Sequence, residues 1–188
     1  MQTTIILWGL VLGTPLAAFG AVCAVAPERA RRFAQWFEGS RAVAVALALA
    51  AWLWTARELD TIGIDVFDMV LKRFTGEVWY LALALAYLTV IWMPKNLPVR
   101  ALAALMMLFP ASLFRTTRLL VPDGGFALVH VFVAFAYAAA IVGMYGMFYP
   151  WRLEKGLGLA MRTGPGCRAF GAGLAALGVL LVAAGFFV

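Results

Sequence analysis

Seven polar residues have the types and spacing to do chemistry on one side of a membrane. They are four acids, two arginines and the single histidine of the chain: Glu58, Asp60, Asp65, Asp68, Arg115, Arg118 and His130. Two arginines three residues apart on a helix could bind an anionic headgroup, and the carboxylates could bind a cation. The imidazole could donate or accept a proton. The alternative that we prefer is structural, with the arginines reaching the surface and pairing with nearby acids.

Composition indicates the surroundings in which such a site would lie. Of the 188 residues 65% are hydrophobic and only 13% are charged, whereas a soluble domain has roughly a quarter of its residues charged. The net charge of +6 comes from Lys and Arg scattered in ones and twos at the ends of apolar runs. That distribution is typical of membrane topology signals and not of a phosphate-binding face, so we expect lipid and not nucleic acid as the surroundings.

Apolar runs predict an all-α integral membrane protein, a bundle of six transmembrane helices in one domain that covers residues 1–188. A span needs about 20 mostly apolar residues. The predicted spans are 4–26, 41–59, 77–93, 97–121, 126–149 and 168–188. The second and third are the weakest because their uncharged stretches, 42–56 and 78–93, are short, and these two could instead form a re-entrant hairpin.

The segment between the second and third predicted spans has the pattern of a surface helix. Asp65, Asp68 and Lys72 would share one face of a helix over residues 62–74, and apolar residues would form another. The sequence therefore predicts a short amphipathic helix lying on the outer surface. Within it, pairing of the two aspartates with Lys72 is the simplest role for these charges.

The distribution of Lys and Arg gives an orientation. The loops after spans 1, 3 and 5 hold ten of these residues, and those after spans 2 and 4 hold five. Because positive loops stay in the cytoplasm, we expect a multi-pass protein of a bacterial inner membrane with both termini on the outer side. Cys23 and Cys167 would then lie at the inner side as reduced thiols.

Two prolines and several rows of small residues bear on how the helices pack. Pro15 and Pro110 lie near the middle of spans 1 and 4, where they predict kinks, and interrupted helices at matching positions are found at transporter sites. Small residues four apart let helix backbones approach closely in lipid. The rows are Ala42/Ala46/Ala50, Ala82/Ala86, Ala139/Gly143 and Gly171/Ala175.

Three functional hypotheses follow from these features. The first is an accessory or structural subunit of a membrane complex, which would have a membrane-protein partner or form a homo-oligomer. The second is a small transporter or channel for a neutral or weakly polar solute, which relies on Pro15 and Pro110. The third is a membrane enzyme with an outward-facing polar site. The sequence offers no nucleotide loop, metal-ligand cluster or catalytic motif, so it assigns no catalytic residue, metal or cofactor, and we favour a protein that is not an enzyme.

Overall fold

The computed structural model describes residues 2–62, 78–92, 96–117 and 128–187, and these residues form helices without any strand. In chain order the described helices are α1 (Gln2–Val25), α2 (Pro27–Gly39), α3 (Arg41–Ile62), α4 (Val78–Trp92), α5 (Leu97–Thr117), α6 (Val129–Phe148), α7 (Pro150–Arg162) and α8 (Gly164–Phe187). Helices satisfy their own backbone hydrogen bonds, which is what a chain this apolar needs in lipid.

Helix length decides how many of these elements can cross a membrane. Four are long and apolar enough: Thr3–Val25 within α1, then α5, α6 and α8. Helix α3 follows α2 across a bend of 69°. If α2 and α3 together form one broken span, the number of candidate spans rises to five. Helix α4 has 15 residues, or about 22 Å, against about 30 Å of hydrocarbon. The described residues thus form a helical membrane protein with four or five candidate spans, and the predicted number of six is not confirmed.

The first and last helices pack closely because glycines line their contact. A Cβ atom added at Gly13 would lie 2.5 Å from the carbonyl oxygen of Gly178, and one added at Gly20 would lie 2.6 Å from that of Gly171. The obstacles are backbone atoms, so only glycine fits at this spacing. The order of these contacts shows that α1 and α8 run antiparallel, which brings the described ends of the chain to the same end of the bundle.

The remaining long helices pack beside this pair. Gly143 of α6 contacts α5 at the carbonyl of Ala103, and α3 packs on α5 at Ala44 and Ala48. In α3 the buried alanines are Ala44, Ala48, Ala51 and Ala56, whereas the row singled out from the sequence, Ala42, Ala46 and Ala50, is exposed. An alanine-rich helix presents several rows at the same spacing, and only the neighbouring helix selects the one that is buried within the bundle.

Two segments that the sequence predicts as inner loops are amphipathic helices. Helices α2 and α7 each have 13 residues and begin at a proline, Pro27 or Pro150. The prolines end the preceding spans as expected, but each also begins a new helix, where its missing N–H costs nothing. Ser40 and Thr163 follow α2 and α7, and their hydroxyls accept from backbone N–H groups in the first turns of α3 and α8.

These two helices lie at the end of the bundle that carries most of the basic residues, which we call the basic end. The predicted amphipathic helix over 62–74 is a different segment. Ile62 ends α3, and the rest of that prediction lies outside the described residues.

Candidate functional site

A polar cluster joins α3 to α5 at the end of the bundle opposite the basic end. Helix α3 contributes Trp54 and Glu58, four residues apart, and α5 contributes Ser112 and Arg115, three apart. Such spacings place each pair on one face of its helix. Because α3 and α5 pack side by side along their alanine faces, the two polar pairs meet near the helix ends.

Glu58 is the centre of this cluster. Its side chain is buried, with a residue exposure of 6%. The Ser112 hydroxyl donates to Oε1 at 2.5 Å, and the Trp54 indole N–H donates to the same oxygen at 3.2 Å. Arg115 forms an ion pair with Oε2. Burying a carboxylate is costly unless donors surround it, and here an indole, a hydroxyl and a guanidinium do so.

The arrangement suits a lock between helices. Arg115 keeps about half of its side chain exposed, so its guanidinium reaches the surface while pairing inward with Glu58. The same carboxylate accepts from both α3 and α5, so separating the helices would strand it in an apolar setting. Of the predicted site residues, the structure thus brings Glu58 and Arg115 together in an ion pair.

The other predicted site residues have different outcomes. His130 lies half-buried in the first turn of α6, at the same end of the bundle as Glu58. Asp60 lies in the last turn of α3. Asp65, Asp68 and Arg118 are outside the described residues. Sequence reasoning missed Trp54 and Ser112, although their distances of four and three residues from Glu58 and Arg115 were a usable signal.

The two predicted kink positions lie inside helices that continue through them. Pro15 is within α1 and Pro110 is within α5. Pro15 is exposed and Pro110 is buried. At Ser40, between α2 and α3, the axes of the two consecutive helices differ by 69°.

The cysteines lie together at the basic end. Both are free and fully buried, and the Cys167 thiol donates weakly to the Cys23 carbonyl at 3.7 Å. They pack with Ala30 of α2 and Met161 of α7, so they fasten the surface helices to the α1 and α8 pair. Among the described residues, no group of three or more His, Cys, Asp or Glu side chains is arranged to hold a metal ion.

A large cavity that sequence reasoning missed lies between α2 and α7. It has a volume of about 890 Å³ and reaches the basic ends of α1, α5 and α8. Its signal in the sequence was the apolar spacing of three, four and seven residues from Ala30 to Phe33, Ala34 and Phe37. At its edge, burial and the neighbouring carboxylate of Glu154 raise the pKa of Glu38 above its ordinary value.

Comparison with known proteins adds no relative: no family model, no curated protein and no solved structure matches this chain. Over the described residues the chain is all-helical and has four or five candidate spans, so fold and site together are compatible with the class of membrane-embedded, multi-pass helical proteins.

Proposed function

We propose that the protein is an accessory subunit that binds another membrane protein through the outward face of α4. The observation that carries this proposal is the position of α4 at the edge of the described part of the bundle. Its neighbour is α3, which it contacts through Ala82 and Ala86 and through a hydrogen bond from the Trp52 indole to the Thr89 hydroxyl at 3.1 Å.

The opposite face of α4 has the character of a helix contact. Tyr80 and Tyr87 are seven residues apart and 73% and 67% exposed. Both stand on the side away from Ala82, and a phenol in hydrocarbon is stabilised by a hydrogen-bond partner. A helix of a partner protein with small or polar residues would supply such a hydrogen-bond partner.

Site-specific photo-crosslinking tests this proposal. A photoreactive amino acid replaces Tyr87 in the tagged protein in its native membrane, and the matched control replaces Ile141 of α6, which is 62% exposed. We expect a covalent adduct with a distinct membrane protein from position 87 and none from position 141. Native mass spectrometry in mild detergent should then give a stable complex of the two proteins.

Two results would contradict the proposal. An adduct of twice the subunit mass would show that α4 binds a second copy, so that the protein forms a homo-oligomer. Adducts with lipid alone at both positions would show that α4 faces the bilayer.

The polar cluster and the two prolines give less support to an enzyme or a transporter than α4 gives to a subunit. An enzyme would use Glu58 or Arg115 on a substrate, but the carboxylate already accepts from Trp54, Ser112 and Arg115. A transporter of the kind considered above relies on interrupted helices, and α1 and α5 continue through Pro15 and Pro110.

We further propose that the basic end faces the cytoplasm of a bacterium and that both termini face outward. The excess of Lys and Arg at this end supports the proposal. Because Cys23 and Cys167 are buried, a membrane-impermeant maleimide should report single added cysteines against a low background. In intact spheroplasts, Lys155→Cys should stay unlabelled, and it should react once the membrane is opened. Labelling before opening would reverse the orientation.

A further inference from the structure

The walls of the cavity are the apolar faces of two amphipathic helices. From α2 come Phe33, Ala34 and Phe37, and from α7 come Leu153 and Leu157. Helices of this kind lie in the membrane interface with their apolar faces toward the acyl chains. Here the two faces leave between them a space of about 890 Å³, near the upper end of the range of roughly 300–1,000 Å³ for ligand sites.

The two helices run in opposite directions and are tied at one point. The Arg31 guanidinium of α2 donates to the carbonyls of Met161 and Arg162, at 2.6 and 2.9 Å, and so caps the C-terminus of α7. Farther along, Glu38 faces Glu154 across the cavity edge. These hydrogen bonds fix the position of α2 against the C-terminal end of α7, beside the cavity.

The space is open to the surroundings of the bundle, because Phe33 and Trp151 in its lining are about half exposed. Apolar surface of this kind is stabilised when an apolar molecule, and not water, covers it. The aromatic rings of Phe19, Trp151 and Phe170 add to the apolar lining. At the level of the interface, the acyl chains of the bilayer are the nearest apolar molecules.

The edge of the cavity is polar and has three cations and two acids, and among the cations Arg31 already pairs with Glu28. Its lining includes the cations Arg31, Lys155 and Arg162 and the acids Glu38 and Glu154. Lys155 and Arg162 are exposed, where they can approach a headgroup. Basic sites between membrane helices bind anionic headgroups in this way.

We propose that this cavity is a binding site for an anionic phospholipid, with an acyl chain between α2 and α7 and the phosphate at Lys155 and Arg162. The site is separate from the outward face of α4, so the proposal goes beyond the proposed subunit function. Each of the two proposals can be refuted without affecting the other.

Lipid binding to the purified full-length protein tests the site. Phosphatidylglycerol or phosphatidylcholine with identical chains is added to delipidated protein in detergent, and bound lipid is counted by native mass spectrometry. We expect one tightly bound phosphatidylglycerol per chain. Replacing both Lys155 and Arg162 by Gln should weaken its binding roughly 25-fold, since each basic side chain near an anionic headgroup contributes about a five-fold gain. Binding of phosphatidylcholine should change little.

Two glycines of α7 provide a matched pair of variants for the apolar part. Gly158 lines the cavity, Gly156 does not, and a Cβ atom at either meets nothing within 4 Å. Gly158→Phe should place an aromatic ring inside the space, where it competes with the acyl chain and weakens lipid binding. Gly156→Phe should bind lipid like the unaltered chain, and both variants should keep the melting temperature of a folded protein. Undiminished binding of phosphatidylglycerol to Gly158→Phe, or equal binding of the two lipids to the unaltered chain, would overturn the proposal.

Discussion

The antiparallel contact of α1 with α8 gives the sharpest test of how this bundle is held together. We consider Gly178→Ala, which adds one methyl group at the closest point. That methyl would lie 2.4 Å from the backbone nitrogen of Ala17 and 2.6 Å from the carbonyl oxygen of Gly13, where ordinary contacts begin at 3.4 Å. Because both obstacles are backbone atoms, the helices themselves must separate by about 1 Å at this point.

The expected change in stability on Gly178→Ala is the sum of two opposing contributions. Alanine is favoured over glycine inside a helix by about 1 kcal/mol, and overpacking of a close contact costs about 1–3 kcal/mol. Gly173→Ala on the same helix isolates the first term, because a Cβ atom there meets nothing within 4 Å. The difference between the two variants is therefore the overpacking term. At about 2–4 °C per kcal/mol for a chain of this length, Gly178→Ala should melt about 2–12 °C below Gly173→Ala.

The chain supplies its own reporter for this assay. Cys23 and Cys167 are fully buried where α1, α2, α7 and α8 meet, so a maleimide dye that fluoresces on reaction with a thiol should respond when these helices separate. Melting curves in one detergent, at one protein concentration, compare the unaltered chain with both variants. If Gly178→Ala melts at the temperature of Gly173→Ala or above it, the close approach of α1 and α8 does not hold the bundle together, and our reasoning is refuted.

Three further predictions use the same purified protein. The double variant Gly20→Ala and Gly171→Ala should lose less stability than the two single variants lose in sum. Each added methyl lies 2.6 Å from the other residue's carbonyl oxygen, so one separation of α1 from α8 relieves both contacts. Additive losses in thermal melts would contradict this coupling. Glu58→Gln should lower the free energy of unfolding by about 1.5–3 kcal/mol, because the charge-assisted hydrogen bond from Arg115 is weakened. The control Arg57→Gln, at an exposed neighbour, should melt like the unaltered chain. Equal losses in the two variants would show that Glu58 does not hold α3 to α5. Glu38→Gln should raise the melting temperature by tryptophan fluorescence at pH 7 and lose this advantage at low pH. The reason is that the folded chain holds the Glu38 pKa above its unfolded value, so ionisation opposes folding as pH rises through these values; the same gain at both pH values would show a different cause.

The sequence predicted the helices better than it predicted their contacts. Length and hydropathy are local properties, so α1, α5, α6 and α8 lie within or close to predicted spans. The choice of a packing face is not local. Ala42, Ala46 and Ala50 had the same spacing as the buried Ala44 and Ala48, and only the position of α5 separates the two rows.

The polar cluster shows the same limit. Glu58 and Arg115 were expected on one side of the membrane because alternating spans place them there, and the structure pairs them. Ser112 and Trp54 were missed because a serine beside Pro110 and a tryptophan near a helix end each have ordinary local roles. Their place in the cluster depends on the rotation of α3 against α5, which hydropathy does not encode.

Helices α2 and α7 were missed for a different reason. Arginines near Pro27 and Pro150 indicate the ends of spans, and mean hydropathy alone does not separate a loop from a short helix with one apolar face. Phe33 and Phe37, four residues apart, have the helical spacing that a surface helix requires. A search for helical periodicity inside the basic loops would have found them.

The two ends of the bundle differ in a way that keeps the two proposals separable. At one end, Glu58 locks α3 to α5, and α3 in turn carries α4 with its outward tyrosines. At the basic end, the cavity lies between α2 and α7, which are fastened through Arg31 and the two cysteines. Placing a phenylalanine ring in the cavity with Gly158→Phe leaves the contacts between α3, α4 and α5 unchanged, so crosslinking from position 87 should persist in a variant with weakened lipid binding. Loss of both together would mean that the lipid is itself part of the contact with the partner.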